Sequence, residues 1–227
     1  MLETFYNLLE NTLNERDPNY GRREEFQSYI CLILQTIVNN AKFEINQQIA
    51  DTLIDIVFRC FRSRGDVFDD AFMLISSLCV NLEQSMDKHT PNIGPYILHA
   101  LKEKEVQKHS AMLISDICTY VRSNSINQGF DEYIPLLHDL LTENGCERET
   151  KLAAIGAIGD TIAMVGQRFE PFMERTLKVF TSAATMSVSD IEESDQEMME
   201  YMISLHTALI DAFSSITLEI PNFSQAV

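Results

Sequence analysis

Met73-Leu74-Ile75-Ser76-Ser77-Leu78-Cys79 returns 39 residues later as Met112-Leu113-Ile114-Ser115-Asp116-Ile117-Cys118, with five of the seven positions identical. A third copy, Ala157-Ile158-Gly159-Asp160-Thr161-Ile162, places Asp160 44 residues beyond Asp116. A weaker one precedes them, Leu34-Gln35-Thr36-Ile37, lying 41 residues before Ile75-Ser76-Ser77-Leu78. The stretches between these copies recur as well, as Ile93-Gly94-Pro95-Tyr96-Ile97, Phe130-Asp131-Glu132-Tyr133-Ile134 and Phe169-Glu170-Pro171-Phe172-Met173.

A period near 40 residues with two helical stretches per unit is the mark of HEAT and armadillo repeats. The helical reading rests on spacing. In 147–165, Leu152, Ile155, Ile158, Ile162 and Val165 recur at steps of three and four, which puts them on one face of a helix. Ala153, Gly156, Ala157 and Gly159 between them are small, and glycine costs a helix about 1 kcal/mol relative to alanine, so close approach of a neighbouring helix is expected at both glycines. The fold expected is all-α: a HEAT-repeat α-solenoid, a right-handed superhelix of antiparallel helix pairs. No single pair can bury its apolar face alone, so neighbours must stack.

Turn chemistry suggests breaks at Asp17-Pro18-Asn19-Tyr20-Gly21, at Ser63-Arg64-Gly65-Asp66 and at Asn124 through Gly129. Pro91, Pro95, Pro135 and Pro171 fall near the starts of first helices, where a missing N–H is tolerated or produces a kink. Five pairs result, over 2–41, 45–84, 90–122, 130–166 and 169–219. The fifth contains a long acidic connection with Asp190, Glu192, Glu193, Asp195 and Glu197. Ile220-Pro221-Asn222-Phe223 looks like the start of a sixth unit, so a piece of a longer solenoid is expected.

Composition agrees with an all-helical chain. Among 227 residues there are 8 Gly, 6 Pro and no Trp, where average usage would supply roughly 16 Gly and 11 Pro. The formal charge is −17, from 34 acids against 17 bases. Phosphate backbones and anionic membranes are poor partners for such a surface. A basic protein segment is the natural complement; the alternative is that acidity only keeps a large helical surface soluble. The cysteines at 31, 60, 79, 118 and 146 form no C-x-x-C pair and four lie in apolar runs, the usage of reduced core cysteines in a cytosolic or nuclear protein. Met1-Leu2-Glu3-Thr4 does not open like a signal peptide, and no stretch reaches the roughly 18 apolar residues of a membrane span. Asn222-Phe223-Ser224 fits a glycosylation sequon that a cytosolic chain would not use. No nucleophile elbow, phosphate loop or metal-spaced His/Cys set is present among the five histidines (89, 99, 109, 138, 206) and the cysteines, so neither enzyme chemistry nor a cofactor or metal is expected.

The order of particular segments resembles the importin-β family over nearly the whole chain. The carrying segments are Glu25 through Gln35, Asp69 through Leu78, Leu113 through Cys118, and Ile158-Gly159-Asp160-Thr161-Ile162-Ala163-Met164-Val165-Gly166 running on into Phe169-Glu170-Pro171-Phe172. The resemblance places the chain among the later repeats of such a receptor, and implies a nuclear import role in cytoplasm, nucleus and nuclear pore. It implies that second helices line a concave face bearing Glu24, Glu25, Asp69, Asp70, Asp116, Asp160 and Glu200, which would hold the basic importin-β-binding segment of the adaptor importin-α. It also implies Phe-Gly nucleoporin slots between outer helices, with Tyr96, Leu137, Phe172 and Phe180 as candidate linings. The family's main Ran GTPase contacts lie in repeats that precede this region, and its inner-surface tryptophans have no counterpart here. Two plainer readings stand beside these. An Asp near a helix end can hydrogen-bond a neighbouring turn, and an aromatic stripe can be core. The competing function is a generic HEAT scaffold for a multiprotein complex, phosphatase-scaffold-like, with no transport role.

Overall fold

The computed structural model describes residues 2–14, 20–40, 45, 47–62, 67–185 and 196–220. These residues form helices α1 (Leu2–Asn14), α2 (Tyr20–Asn40), α3 (Gln47–Arg62), α4 (Val67–Leu82), α5 (Thr90–Ala100), α6 (Gln107–Asp116), α7 (Asn124–Thr142), α8 (Arg148–Val165), α9 (Met173–Ala184) and α10 (Gln196–Glu219). Short 3₁₀ segments follow α4 (Glu83–Met86) and precede α9 (Gly166–Phe172), and a π turn, Ile117–Val121, extends α6. Among the described residues there is no β-strand. The even-numbered helices stack in one row, α2 on α4, α4 on α6, α6 on α8 and α8 on α10, and the odd-numbered helices form a second layer against them. The α-solenoid read from the forty-residue period is therefore the architecture found.

Apolar side chains from both layers merge into one continuous core. Leu34, Leu74, Ile75, Leu113, Ile114, Ile158 and Ile162, all from the repeated segments, are fully buried in it. Four thiols, Cys31, Cys60, Cys79 and Cys118, are buried, and only Cys146 is half-exposed. Burial pushes the Cys79 thiol well above the usual thiol range and Cys118 up to about 12, so these sulfurs behave as small apolar groups.

Hydrogen bonds carry the period as visibly as the core does. The Ser28 hydroxyl donates to the Asp70 carboxylate 42 residues on, Ser76 to Asp116 40 residues on, and Ser115 to Asp160 45 residues on. His109 Nδ1 and an Asp69 carboxylate oxygen lie in hydrogen-bond contact at 2.8 Å, and Lys108 pairs with Glu149. In the other layer, Arg59 pairs with Glu10 at 2.9 Å and Arg175 with Asp139 at 2.6 Å. Each contact joins one unit to the next.

Several boundaries differ from the sequence reading. Asn124–Gly129 is not a break but the first turns of α7, because Ser123 caps it: its Oγ accepts from the N–H groups of Ser125 (3.1 Å) and Ile126 (3.4 Å). The chain turns two residues earlier, at Arg122, whose left-handed backbone (φ 52°) closes the π turn. Pro135 consequently lies inside α7 and not near its start. Tyr20 and Gly21 belong to α2, while the rest of that expected break, the one at 63–66 and the acidic residues Asp190, Glu192, Glu193 and Asp195 lie outside the described residues. Gly159 and Gly156 part company. A Cβ on Gly159 would come within 3.1 Å of the Ala212 Cα and Cβ, so α8 and α10 touch backbone to backbone there, whereas a Cβ on Gly156 would meet nothing within 4 Å. Close packing explains only the first. Gly166 ends α8 with φ 57° and ψ −133°, a conformation that L side chains rarely adopt.

Candidate binding surface

The acids singled out from sequence fall into two groups. Asp69 and Asp70 sit in the first turn of α4, where the helix dipole favours negative charge. Asp70, Asp116 and Asp160 lie half-buried at the seams between successive even-numbered helices, each facing a serine of the preceding one. Burial raises the Asp70 carboxyl to about 6, helped by the charge of Asp69 and opposed by His109. Burial also raises Asp116 and Asp160. The serine hydroxyl pulls each back down, and the next acid in the row, Asp160 for Asp116 and Asp211 for Asp160, pushes it up again. The result is a file of carboxylates running along the row, each fixed by one hydroxyl, with Asp116 feeling Asp160 and Asp160 feeling Asp211. Glu25 and Glu200 are exposed; Glu200 accepts a 2.9 Å hydrogen bond from Gln196 on its own helix. The side chain of Glu24 lies outside the described residues.

The same layer carries an apolar component that was missed in the sequence. Of the large apolar side chains exposed in the structure, Phe26, Tyr29, Leu32 and Ile33 are on α2, Val80 on α4, Met112 on α6, Tyr120 on the π turn, and Ile203, Ile210 and Leu218 on α10. α2 and α10 stand at the two ends of the row, with no even-numbered neighbour on their outer sides among the described residues. Val80, Met112 and Tyr120 lie between them, so the middle of the layer also presents apolar atoms to solvent. An exposed apolar position in a helix reads in sequence like any core position, which is why periodicity did not reveal these residues.

The proposed slot residues separate by burial. Leu137 and Phe180 are 0% exposed and belong to the core, Phe180 against Phe213 at 5.8 Å between ring centroids. Tyr96 is half-buried, stacks on Phe58 (5.7 Å) and packs at a tilt against Phe61 (4.8 Å), bridging α5 to α3. Phe172 is half-buried and, with Phe130 and Pro171 among the polar side chains Asp131, Arg168 and Glu170, lines a groove of about 580 Å³ between α7 and the 3₁₀ segment before α9. The Arg168 guanidinium lies 5.1 Å from the centre of the Phe130 ring. Of the four, Phe172 lines this groove, and Phe180, though buried, forms part of the wall of a second cavity between α9 and α10. Among the described residues, no set of three or more His, Cys, Asp or Glu could hold a metal ion, and no helix is long and apolar enough to cross a membrane.

Comparison with known proteins follows the same geometry. A family model described as "Importin subunit beta-1-like, TPR repeats" matches residues 2–225; the ties 40 to 45 residues apart along the even-numbered row have the spacing of HEAT units. The chain is similar to importin subunit beta-1 of Saccharomyces cerevisiae, 26% identical over 201 residues, 85% of this chain and 22% of that protein. In structure it is similar to Kap95p in a study of how its binding induces the switch loops of RanGDP to adopt the GTP-bound conformation (TM-score 0.78, 23% identity, 99% of this chain and 27% of that one). It is likewise similar to a chain of the Kap95:Nup1 complex (TM-score 0.76, 20% identity, 99% and 27%). The chain thus spans about a quarter of the length of the proteins it matches. With the helix-pair stack, its period and a match over residues 2–225 in agreement, the chain belongs to the importin subunit beta-1-like family.

Proposed function

We infer that this chain is the ligand-wrapping part of a nuclear transport receptor, and that its even-numbered layer is a concave face holding a basic, amphipathic helical segment of an importin-α-type adaptor or cargo. The observation that carries this reading is the file of half-buried carboxylates, Asp70, Asp116 and Asp160, running past the exposed apolar side chains Val80, Met112 and Tyr120. Carboxylates at repeat intervals supply register and steering for Lys and Arg. Each exposed ion pair contributes only about 0–1 kcal/mol, so the apolar positions between them supply much of the affinity. Glu25 and Glu200 extend the acidic surface to either end; Asp69 is engaged by His109. The relative named above is an importin subunit.

The test separates charge from packing. Asp116→Asn with Asp160→Asn keeps an oxygen to accept from Ser76 and Ser115 while removing both charges. Affinity for a basic amphipathic helical peptide, measured at two salt concentrations, should fall several-fold at low salt, with a shallower salt slope. An unchanged affinity and slope, with helicity intact, refutes the acidic-groove assignment. A generic assembly scaffold would ignore the peptide altogether.

The groove at Phe172 supports a second contact, with Phe-Gly nucleoporin segments, since Phe130, Pro171 and Phe172 give it an apolar part for a phenyl ring to rest on. Phe172→Ala should abolish any Phe-Gly peptide shift in NMR spectra of this groove; a shift that survives it places the peptide elsewhere. A contact with Ran is proposed only for the longer receptor, which would work in cytoplasm, nucleus and nuclear pore.

A further inference from the structure

At one edge of the stack, where the α7–α8 turn meets the second half of α9 and the first turns of α10, lies a cavity of about 700 Å³. Its charge contradicts the rest of the molecule. The chain has twice as many acids as bases, yet Arg148, Lys151, Arg175 and Lys178 line this cavity, and among the described residues that line it none is acidic.

The four cations are two i, i+3 pairs, Arg148 with Lys151 on α8 and Arg175 with Lys178 on α9. That spacing sets the members of each pair one turn apart on one helix face, so the cavity has two basic rails. Between them the surface is apolar, with Leu141, Val179, Ala183 and Met198 half-buried along it. The Arg148 guanidinium also lies 5.4 Å from the centre of the Tyr201 ring, which holds it at the rim.

Two of the four cations are paired, both with exposed carboxylates. Arg148 reaches Glu197 at 3.8 Å, a carboxylate 91% exposed, and Arg175 meets Asp139 at 2.6 Å with both groups largely in water. Such pairs are worth about 0–1 kcal/mol and exchange readily for a ligand carboxylate. Lys151 and Lys178 form no ion pair among the described residues. Charges farther away than the Debye length of about 8 Å at physiological salt are screened, so the local balance decides what enters: the four cations against Glu143 and Glu147, whose charges reach Cys146 in the wall, and the exposed partners Glu197 and Asp139.

A single small anion needs cations converging on a point. Two rails flanking an apolar trough fit an extended ligand with anions along both sides and an apolar group between. We propose that this cavity binds an acidic peptide segment anchored by one apolar side chain, a ligand opposite in charge to that of the even-numbered layer.

The cavity contains its own reporter. Cys146 lies in the wall and is the only one of the five thiols that is not buried. Its rate of alkylation by iodoacetamide, followed by mass spectrometry, measures occupancy. A pentapeptide with a leucine between two pairs of glutamates should slow alkylation at least fivefold at saturation, and Lys151→Gln with Lys178→Gln should remove the protection while leaving helicity unchanged. The same peptide with glycine in place of leucine, and inorganic phosphate, should give little protection. Absence of protection at millimolar peptide, protection that survives the double substitution, or equal protection by phosphate would each overturn the proposal. So would protection that emerges only when Asp190, Glu192, Glu193 and Asp195 are replaced by Asn or Gln, since the chain's own acids would then be the occupant.

Discussion

Alanine at Gly156 and at Gly159 should move stability in opposite directions, although the two positions are three residues apart on the same helix. Each substitution gains about 1 kcal/mol in helix propensity. At Gly156 nothing lies within 4 Å of the new Cβ, so that gain stands alone. At Gly159 the new methyl would sit 3.1 Å from both the Cα and the Cβ of Ala212 and 3.7 Å from its nitrogen. Two of these are backbone atoms, which cannot swing aside as a side-chain end would. The helices must separate by a few tenths of an ångström, and overpacking of this kind costs about 1–3 kcal/mol. Gly156→Ala is therefore expected to stabilise by about 0.5–1 kcal/mol and Gly159→Ala to destabilise by up to about 2 kcal/mol. Urea unfolding followed by circular dichroism measures both. Stability in a repeat stack is nearly a sum of unit and interface contributions, so the loss should be local, and Gly159→Ala should speed amide exchange throughout 196–219 more than in α2 or α4. If Gly159→Ala is as stable as Gly156→Ala, or is destabilised with no change in α10 exchange, the backbone contact between α8 and α10 is not what Gly159 provides.

The buried His138 donates from Nε2 to the Thr176 hydroxyl at 2.8 Å, while its Nδ1 has no partner and burial lowers its pKa to about 4. The unfolded chain therefore takes up the proton first, and stability present above pH 6.5 should fall as pH drops towards 4, by up to about 3 kcal/mol; His138→Gln should flatten this fall in thermal scans. Asp70 acts in the opposite sense, because its carboxyl is raised to about 6: acidification from pH 6 to 3.8 relieves a buried charge, and Asp70→Asn should deepen the acid-side loss. Ser76→Ala should cost about 1 kcal/mol by leaving the half-buried Asp116 carboxylate without its donor, whereas Asp116→Asn should be neutral or stabilising at pH 7; equal effects of the two in urea unfolding would contradict the ladder. Ser123→Ala removes the α7 cap and a 2.6 Å contact to Thr90, and should cost about 1–2 kcal/mol with faster exchange at Ser125 and Ile126.

The architecture was legible because stacking imposes the same burial on each unit. Leu74 and Ile75 occupy the place that Leu113 and Ile114 occupy one unit later, and identical surroundings select identical residues. Features that depend on a neighbouring helix were not legible. Whether Gly156 or Gly159 meets a backbone is decided by Ala212, more than fifty residues away. Asn124 through Gly129 have turn chemistry, yet the Ser123 hydroxyl supplies what the first N–H groups of a helix lack and moves the break upstream. Asp116 and Asp160 stand at matching places in the sequence repeat, but their turn towards the serines of the preceding helix is set by how neighbouring units stack. The basic cavity was invisible for a related reason. Its i, i+3 pairs lie on different helices, and each alone looks like an ordinary solvated face.

The ties between units have a mechanical consequence. Ser28 to Asp70, Ser76 to Asp116 and Ser115 to Asp160 act like successive rivets between adjacent plates. A pull along the long axis, or a guest that demands a tighter coil, is shared among these seams as small rotations, each limited by one hydroxyl–carboxylate contact. Compliance is then a property of the whole row and can be tuned rivet by rivet at the serines, without replacing the carboxylates that meet the guest.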